Sequence, residues 1–168
     1  MLRHIVSQHV HAFITNAGNV GIGTVLCYPY FVNEASFIKK THKALSSEIY
    51  KWKINDPYHG GVPDAYYSGP GDFCFVEYKY KPELPARDTS KINFGLSTQQ
   101  ELWLNKQQSF GIPVFVIVGC EDKIVHLRTD FGKVNHYIKS SFMEETITFK
   151  ELIELLNEHC LGETNGYS

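Results

Sequence analysis

Five consecutive apolar residues, Val114-Phe-Val-Ile-Val118, follow Gly111-Ile-Pro113 and restrict the possible folds more than any other segment. A strand points alternate side chains to opposite faces, so an unbroken apolar strand needs cover on both. This run therefore predicts a buried central strand. The residues before it, Leu96 to Phe110, read as a helix with Ser97 or Thr98 as the candidate N-cap, ended by the Gly-Ile-Pro break.

The rest of the chain supplies layers to cover such a strand. Asn33 caps a predicted helix whose apolar positions Phe37, Ile38, His42 and Leu45 follow the 3.6 period, with Glu34 in its first turn. Glu48 to Ile54 alternates as a strand, with Tyr50, Trp52 and Ile54 on one face and Ile49, Lys51 and Lys53 on the other. Asp56 to Gly61 is a loop. Val62–Tyr67 and Phe73–Tyr80 form a hairpin about the turn Ser68-Gly-Pro-Gly71, and 81–93 is a polar surface loop. Ile124–Leu127 is a further short strand. Thr148-Phe-Lys-Glu151 is a capping box opening a last helix that buries Leu152, Leu155 and Leu156. This order predicts an α/β sandwich around a central mixed sheet flanked by helices.

At 168 residues the chain has the length of one domain, and nothing in it is repetitive or of low complexity. The net charge of −2 and a pI near 6.4 argue at face value against a nucleic-acid partner. The distribution says otherwise. Between residues 34 and 54 five lysines face two glutamates, whereas between 143 and 163 six glutamates oppose one lysine. An acidic tail thus masks a basic front half, although a solvated surface of mixed sign has the same pattern. Cys27, Cys74, Cys120 and Cys160 lie far apart with no C-x-x-C pair, as expected of buried thiols in a reducing, cytoplasmic compartment. His4, His9 and His11 lack the other ligands that a zinc site wants. The stretch 12–32 is uncharged, but three glycines, two asparagines and a proline interrupt it. It reads as an N-terminal extension and not as a membrane span.

The chemically informative group is Asp64, after Gly61-Val-Pro63, followed after twelve intervening residues by Glu77-Tyr-Lys79. Period-2 geometry puts Glu77 and Lys79 on one strand face, and the hairpin brings Asp64 alongside. Two carboxylates and an ammonium suit a hard divalent ion and a phosphodiester, since Mg²⁺ takes carboxylate oxygens, keeps waters and bridges to phosphate. A Glu-x-Lys pair alone is also common on surface hairpins.

In its wider context the chain resembles the PD-(D/E)XK nuclease superfamily, through Pro63-Asp64 and Glu77-Tyr78-Lys79, and within it the VRR-NUC group. The likeness runs from about Asn33 to Gly119. It takes in Glu34 at a helix start, the Gly-Val-Pro-Asp turn, the Glu-x-Lys strand, Leu96-Ser-Thr-Gln-Gln100 and Gly111-Ile-Pro-Val-Phe-Val116. The resemblance implies a restriction-endonuclease-like α/β sandwich over residues 33–162, an extension over 1–32 and a tail over 163–168. It implies a Mg²⁺-dependent endonuclease acting on DNA, branched or structured DNA included, with Mn²⁺ as a substitute ion. Asp64, Glu77 and the backbone carbonyl of Tyr78 would hold the ion, with Glu34 reaching it through water. Lys79 would act on the attacking water, and Gln100 would sit near the ion or the scissile phosphate, with Gln99 as the alternative register. Lys51, Lys53, Lys81, Arg87 and Lys91, together with Lys106, would track the phosphate backbone. A junction-resolving member would need a symmetric homodimer. The 81–93 loop is longer than the usual connection after the Glu-x-Lys strand. The competing reading is a non-catalytic DNA-binding or assembly module on the same fold.

Overall fold

The computed structural model describes residues 33–162 and, ahead of them, the strands His9–Ile14 (β1) and Val20–Val25 (β2). These two pair antiparallel, with His9 opposite Val25 and Ile14 opposite Val20. The chain divides into two compact units, Met1–Tyr30 and Phe31–Ser168. Of the uncharged stretch, 12–14 and 20–25 are thus paired strand. His4, Cys27, the side chains of His9 and His11, and the 163–168 tail lie outside the described residues. Among the described residues no helix is long and apolar enough to cross a membrane.

The larger unit opens with helix α1 (Glu34–Ala44) and strands β3 (Tyr50–Lys53), β4 (Ala65–Ser68) and β5 (Phe73–Lys81). The two-residue strand β6 (Lys91–Ile92), helix α2 (Thr98–Ser109), β7 (Val114–Cys120) and β8 (Lys123–Leu127) follow. A 3₁₀ turn over Phe131–Asn135, β9 (Tyr137–Ile138), α3 (Lys139–Glu144) and α4 (Phe149–Leu161) complete it. The main sheet has the order β3-β4-β5-β7-β8. Only β5 and β7 run parallel; every other neighbouring pair is antiparallel. A parallel step needs a crossover, and α2 lies within the one used here. This is the α/β architecture with a mixed central sheet that the sequence predicts.

Every residue of β7 is buried, and its two faces feed two cores. Phe115 and Ile117 pack with Phe37 and Ile38 of α1 and Leu152, Leu156 and Cys160 of α4. Val114, Val116 and Val118 pack with Leu104 of α2 and with Phe131, Val134 and Phe142. The run therefore sits between two helical layers, the environment its composition demands.

Each main helix starts where a side chain can accept from its free N–H groups. Asn33, Ser97 and Thr148 are the N-caps of α1, α2 and α4, each in a reciprocal capping box. Three expectations need correction. The strand expected over 62–67 spans Ala65–Ser68, because Pro63 offers no N–H and Asp64 sits just outside the ladder. The 81–93 loop contains β6, which pairs with β9 and is held by Lys139, whose Nζ lies 2.9 Å from Asp88 Oδ1 and 3.3 Å from the Ala86 carbonyl. Leu155 is half-buried instead of buried, since α4 turns Leu152, Leu156 and Cys160 inward and leaves Leu155 on the flank. Cys74, Cys120 and Cys160 are buried free thiols.

Candidate active site

The β4–β5 hairpin pairs Ala65 with Val76, so Asp64, one residue earlier, comes opposite Glu77. The backbone fixes Asp64 twice. Its carbonyl accepts the Ile54 N–H at 2.8 Å, and its Oδ2 accepts the Tyr78 N–H at 2.8 Å. Glu77 lies on β5 between β4 and β7 and is only 1% exposed. Lys79, two residues along the same face, brings its Nζ to 2.6 Å from Glu77 Oε1 and 4.0 Å from Glu34 Oε2. Glu34 enters from the first turn of α1. Gln100 Nε2 donates to Glu77 Oε1 at 2.5 Å. Glu77 Oε2 is buried and has no hydrogen-bond partner.

Gln100 is held by its own capping box. Its N–H donates to the Ser97 hydroxyl at 3.2 Å, and its Oε1 accepts the Ser97 N–H at 3.0 Å. The cap that starts α2 therefore also aims the amide at Glu77. Gln99 faces elsewhere, against the Gly60-Gly61 turn. A Cβ on Gly61, whose φ is +85°, would stand 2.5 Å from the Gln99 carbonyl oxygen, so only glycine allows this approach. The side chain of Tyr78 points away from the cluster, and its hydroxyl is 2.8 Å from that of buried Tyr67.

Burial dominates the electrostatics. It pushes Glu77 up to about 8; the neighbouring carboxylate of Asp64 adds to the shift, and Lys79 opposes it. Asp64 is also raised by burial, restrained by the Tyr78 N–H, Lys79 and Lys53. Glu34 is raised by burial, with Lys79 pulling the other way. Lys79 is pushed up because Glu77, Glu34 and Asp64 together outweigh its own burial. Lys79 keeps its proton, and depth together with the surrounding carboxylates favours the protonated form of Glu77 more than in an ordinary glutamate. Groups perturbed by burial and by specific charged neighbours in this way mark a candidate functional site.

Among the described residues no three His, Cys, Asp or Glu side chains stand close enough to chelate an ion by themselves. Zinc, which wants a closed set of nitrogen and sulfur ligands, does not suit these residues. Mg²⁺ does, because it takes one or two carboxylates and completes its shell with water and substrate oxygens. The unsatisfied Oε2 of Glu77, next to Asp64, would be the oxygen available to such an ion.

The basic residues divide. Lys53 is exposed and close enough to lower the proton affinity of both Asp64 and Glu34. The Nζ of Lys51 instead donates to the Leu45 carbonyl at 3.0 Å, at the end of α1. Among the described residues no ion pair joins Lys81, Arg87, Lys91 or Lys106 to the carboxylates.

No protein-family model matches the chain, and no curated protein sequence matches it. Among solved structures it is similar to Hjc of Archaeoglobus fulgidus, a Holliday junction resolvase from an archaeal hyperthermophile. The identity is 16% and the TM-score 0.46, over 73% of this chain and 97% of that one.

Proposed function

We propose that this chain is a divalent-metal-dependent nuclease that hydrolyses phosphodiester bonds in DNA, structured or branched DNA among them. The observation that carries the reading is Glu77. It is a carboxylate buried at 1% exposure with one oxygen unsatisfied, set opposite Asp64 and paired with Lys79. A chain that only needed a stable hairpin gains nothing from a buried, repelled carboxylate.

Asp64, Glu77 and the Tyr78 carbonyl would hold Mg²⁺, with Glu34 further out. When bound, the ion polarises the phosphate and makes water a better nucleophile. Lys79 orients that water and stabilises the charge that builds up as water attacks phosphorus and the P–O bond to the leaving oxygen breaks. Gln100 fixes the carboxylate rotamer of Glu77. Lys53, Lys81, Arg87 and Lys91 supply cations along the substrate. A four-way junction as substrate would require two copies acting as a symmetric dimer.

The test is cleavage of labelled duplex, flapped and junction DNA during metal titration. Mg²⁺ and Mn²⁺ should support cutting. Ca²⁺ should support binding with little cutting, because its looser coordination places water poorly. Binding without cleavage in every metal would leave a non-catalytic DNA-binding module. Full activity in EDTA would exclude the metal-dependent mechanism.

A further inference from the structure

Strand β3 forms one edge of the five-stranded sheet, and its sequence Tyr50-Lys-Trp-Lys53 contains two lysines and no acid. Edge strands are normally blunted by charge or cover. Here Tyr50 is 62% and Trp52 50% exposed. Register places Trp52 opposite Tyr66, and Tyr66 opposite Phe75, so these rings share one sheet face. They touch in series. Trp52 meets Tyr66 edge-on at 6.5 Å, Tyr66 lies 5.1 Å from Phe75, and Phe75 meets Trp103 of α2 edge-on at 5.4 Å. Trp52 is thus seated on a row of rings anchored in the fold.

The next row along the strands is the carboxylate row. Asp64 precedes Tyr66 by two residues and Glu77 follows Phe75 by two, so both lie on that same face, roughly 7 Å along at the rise of a strand. Lys53, adjacent to Trp52, feels Asp64 and Glu34.

We infer that Tyr50 and Trp52 form a stacking platform for unpaired bases of the strand entering the Asp64–Glu77–Lys79 site, so that a single-stranded segment beside the scissile bond is part of what the site selects. The inference rests on the nuclease reading and adds the substrate class to it. An exposed ring can stack on any base, whatever the sequence, and contributes most where the base has no neighbour. Bases within a duplex are already stacked, so the platform favours flaps, gaps and single strands. Absence of acid along β3 and the neighbouring Lys53 suit a polyanion more than a second protein surface.

The experiment compares the full-length protein with Trp52→Ala, Trp52→Phe and Tyr50→Ala, each first checked for native circular dichroism. Binding in Ca²⁺ to a fully paired duplex and to the same duplex with a thymine flap is followed by anisotropy. Single-turnover cleavage in Mg²⁺ and sedimentation accompany it. Trp52→Ala should weaken flap binding about tenfold, the order expected for removing one base–aromatic stack. Duplex binding should change less than twofold, and Trp52→Phe should restore most of the affinity. Equal losses on both substrates, or none, would overturn the platform while leaving the nuclease reading in place if the wild type cuts. A shift in oligomeric state with unchanged flap preference would assign the rings to an interface between copies and overturn it too. A wild type that neither binds nor cuts DNA would remove the nuclease reading and the platform together.

Discussion

Glu77 gives the metal-free protein a distinctive dependence on pH. Its folded carboxyl titrates at about 8, against 4.5 for an ordinary glutamate, so between those values the folded state holds a proton the unfolded state lacks. Stability then falls as pH rises through that window. His126 acts in the opposite sense. Burial holds its ring down to about 4 from an ordinary 6.5, so its contribution is lost as pH falls from 6.5 towards 4. The two oppose each other below pH 6.5, and above it only the carboxylate effect remains. Chemical denaturation in EDTA should therefore show stability declining from pH 6.5 to 8, and saturating Mg²⁺ should cancel the decline. A flat metal-free profile over that range would contradict the buried-carboxylate picture. Asp64→Asn tests the same cluster. The Asn oxygen can still accept the Tyr78 N–H while the repulsion on Glu77 disappears. Melting temperature in EDTA should hold or rise, and single-turnover cleavage should drop by about a hundredfold or more. Lys79→Ala should lower the cleavage rate by about a hundredfold, as for loss of one preorganised electrostatic group. Affinity in Ca²⁺ should change little, and an unchanged rate would make Lys79 a mere phosphate contact.

Helices α2 and α4 begin with the same device, a hydroxyl at the N-cap and a reciprocating side chain three residues on. Only the box of α2 also delivers a side chain to the cluster, through Gln100 Nε2 on Glu77. Ser97→Ala and Thr148→Ala should therefore each cost about 1 kcal/mol of stability. Their effects on cleavage should separate, with Ser97→Ala slowing the single-turnover rate and Thr148→Ala leaving it within twofold. Equal rates for the two variants would mean that the cap does not position Gln100.

Across the whole molecule, the basic residues should register in the salt dependence of DNA binding. Removing a cation that neutralises one phosphate flattens the slope of log affinity against log salt by about 0.9. Lys53→Ala should show that change, because Lys53 is exposed beside Asp64. Lys51→Ala should leave the slope alone and lower the melting temperature, because its ammonium is held on the Leu45 carbonyl. Affinity titrations from low to moderate salt, run beside thermal melts, separate the two. A flattened slope for Lys51→Ala would show that its bond to Leu45 opens when DNA binds.

What the sequence determined by itself is whatever depends on neighbours along the chain. The caps at Asn33, Ser97 and Thr148 are local hydrogen bonds. The strand pattern of β5 and the apolar run of β7 are local periodicities, and the β4–β5 turn needs only four residues. The approach of Asp64 to Glu77 was legible for the same reason, since a hairpin converts a short separation into opposite positions on a ladder. Residues 128–147 carry no clear period, and tertiary structure alone shapes them. There β9 finds β6 across 45 residues of chain, and Phe131, Val134 and Phe142 fill the core beneath α2 and β7. Tertiary packing likewise chose Gln100 over Gln99, since the turn at Gly60-Gly61 occupies the face of α2 that Gln99 presents. It turned Lys51 back onto α1 and left Trp52 exposed on an edge. Periodicity assigns a residue to a face of its own element, but which face meets a partner, and which lies open, follows from how the elements pack.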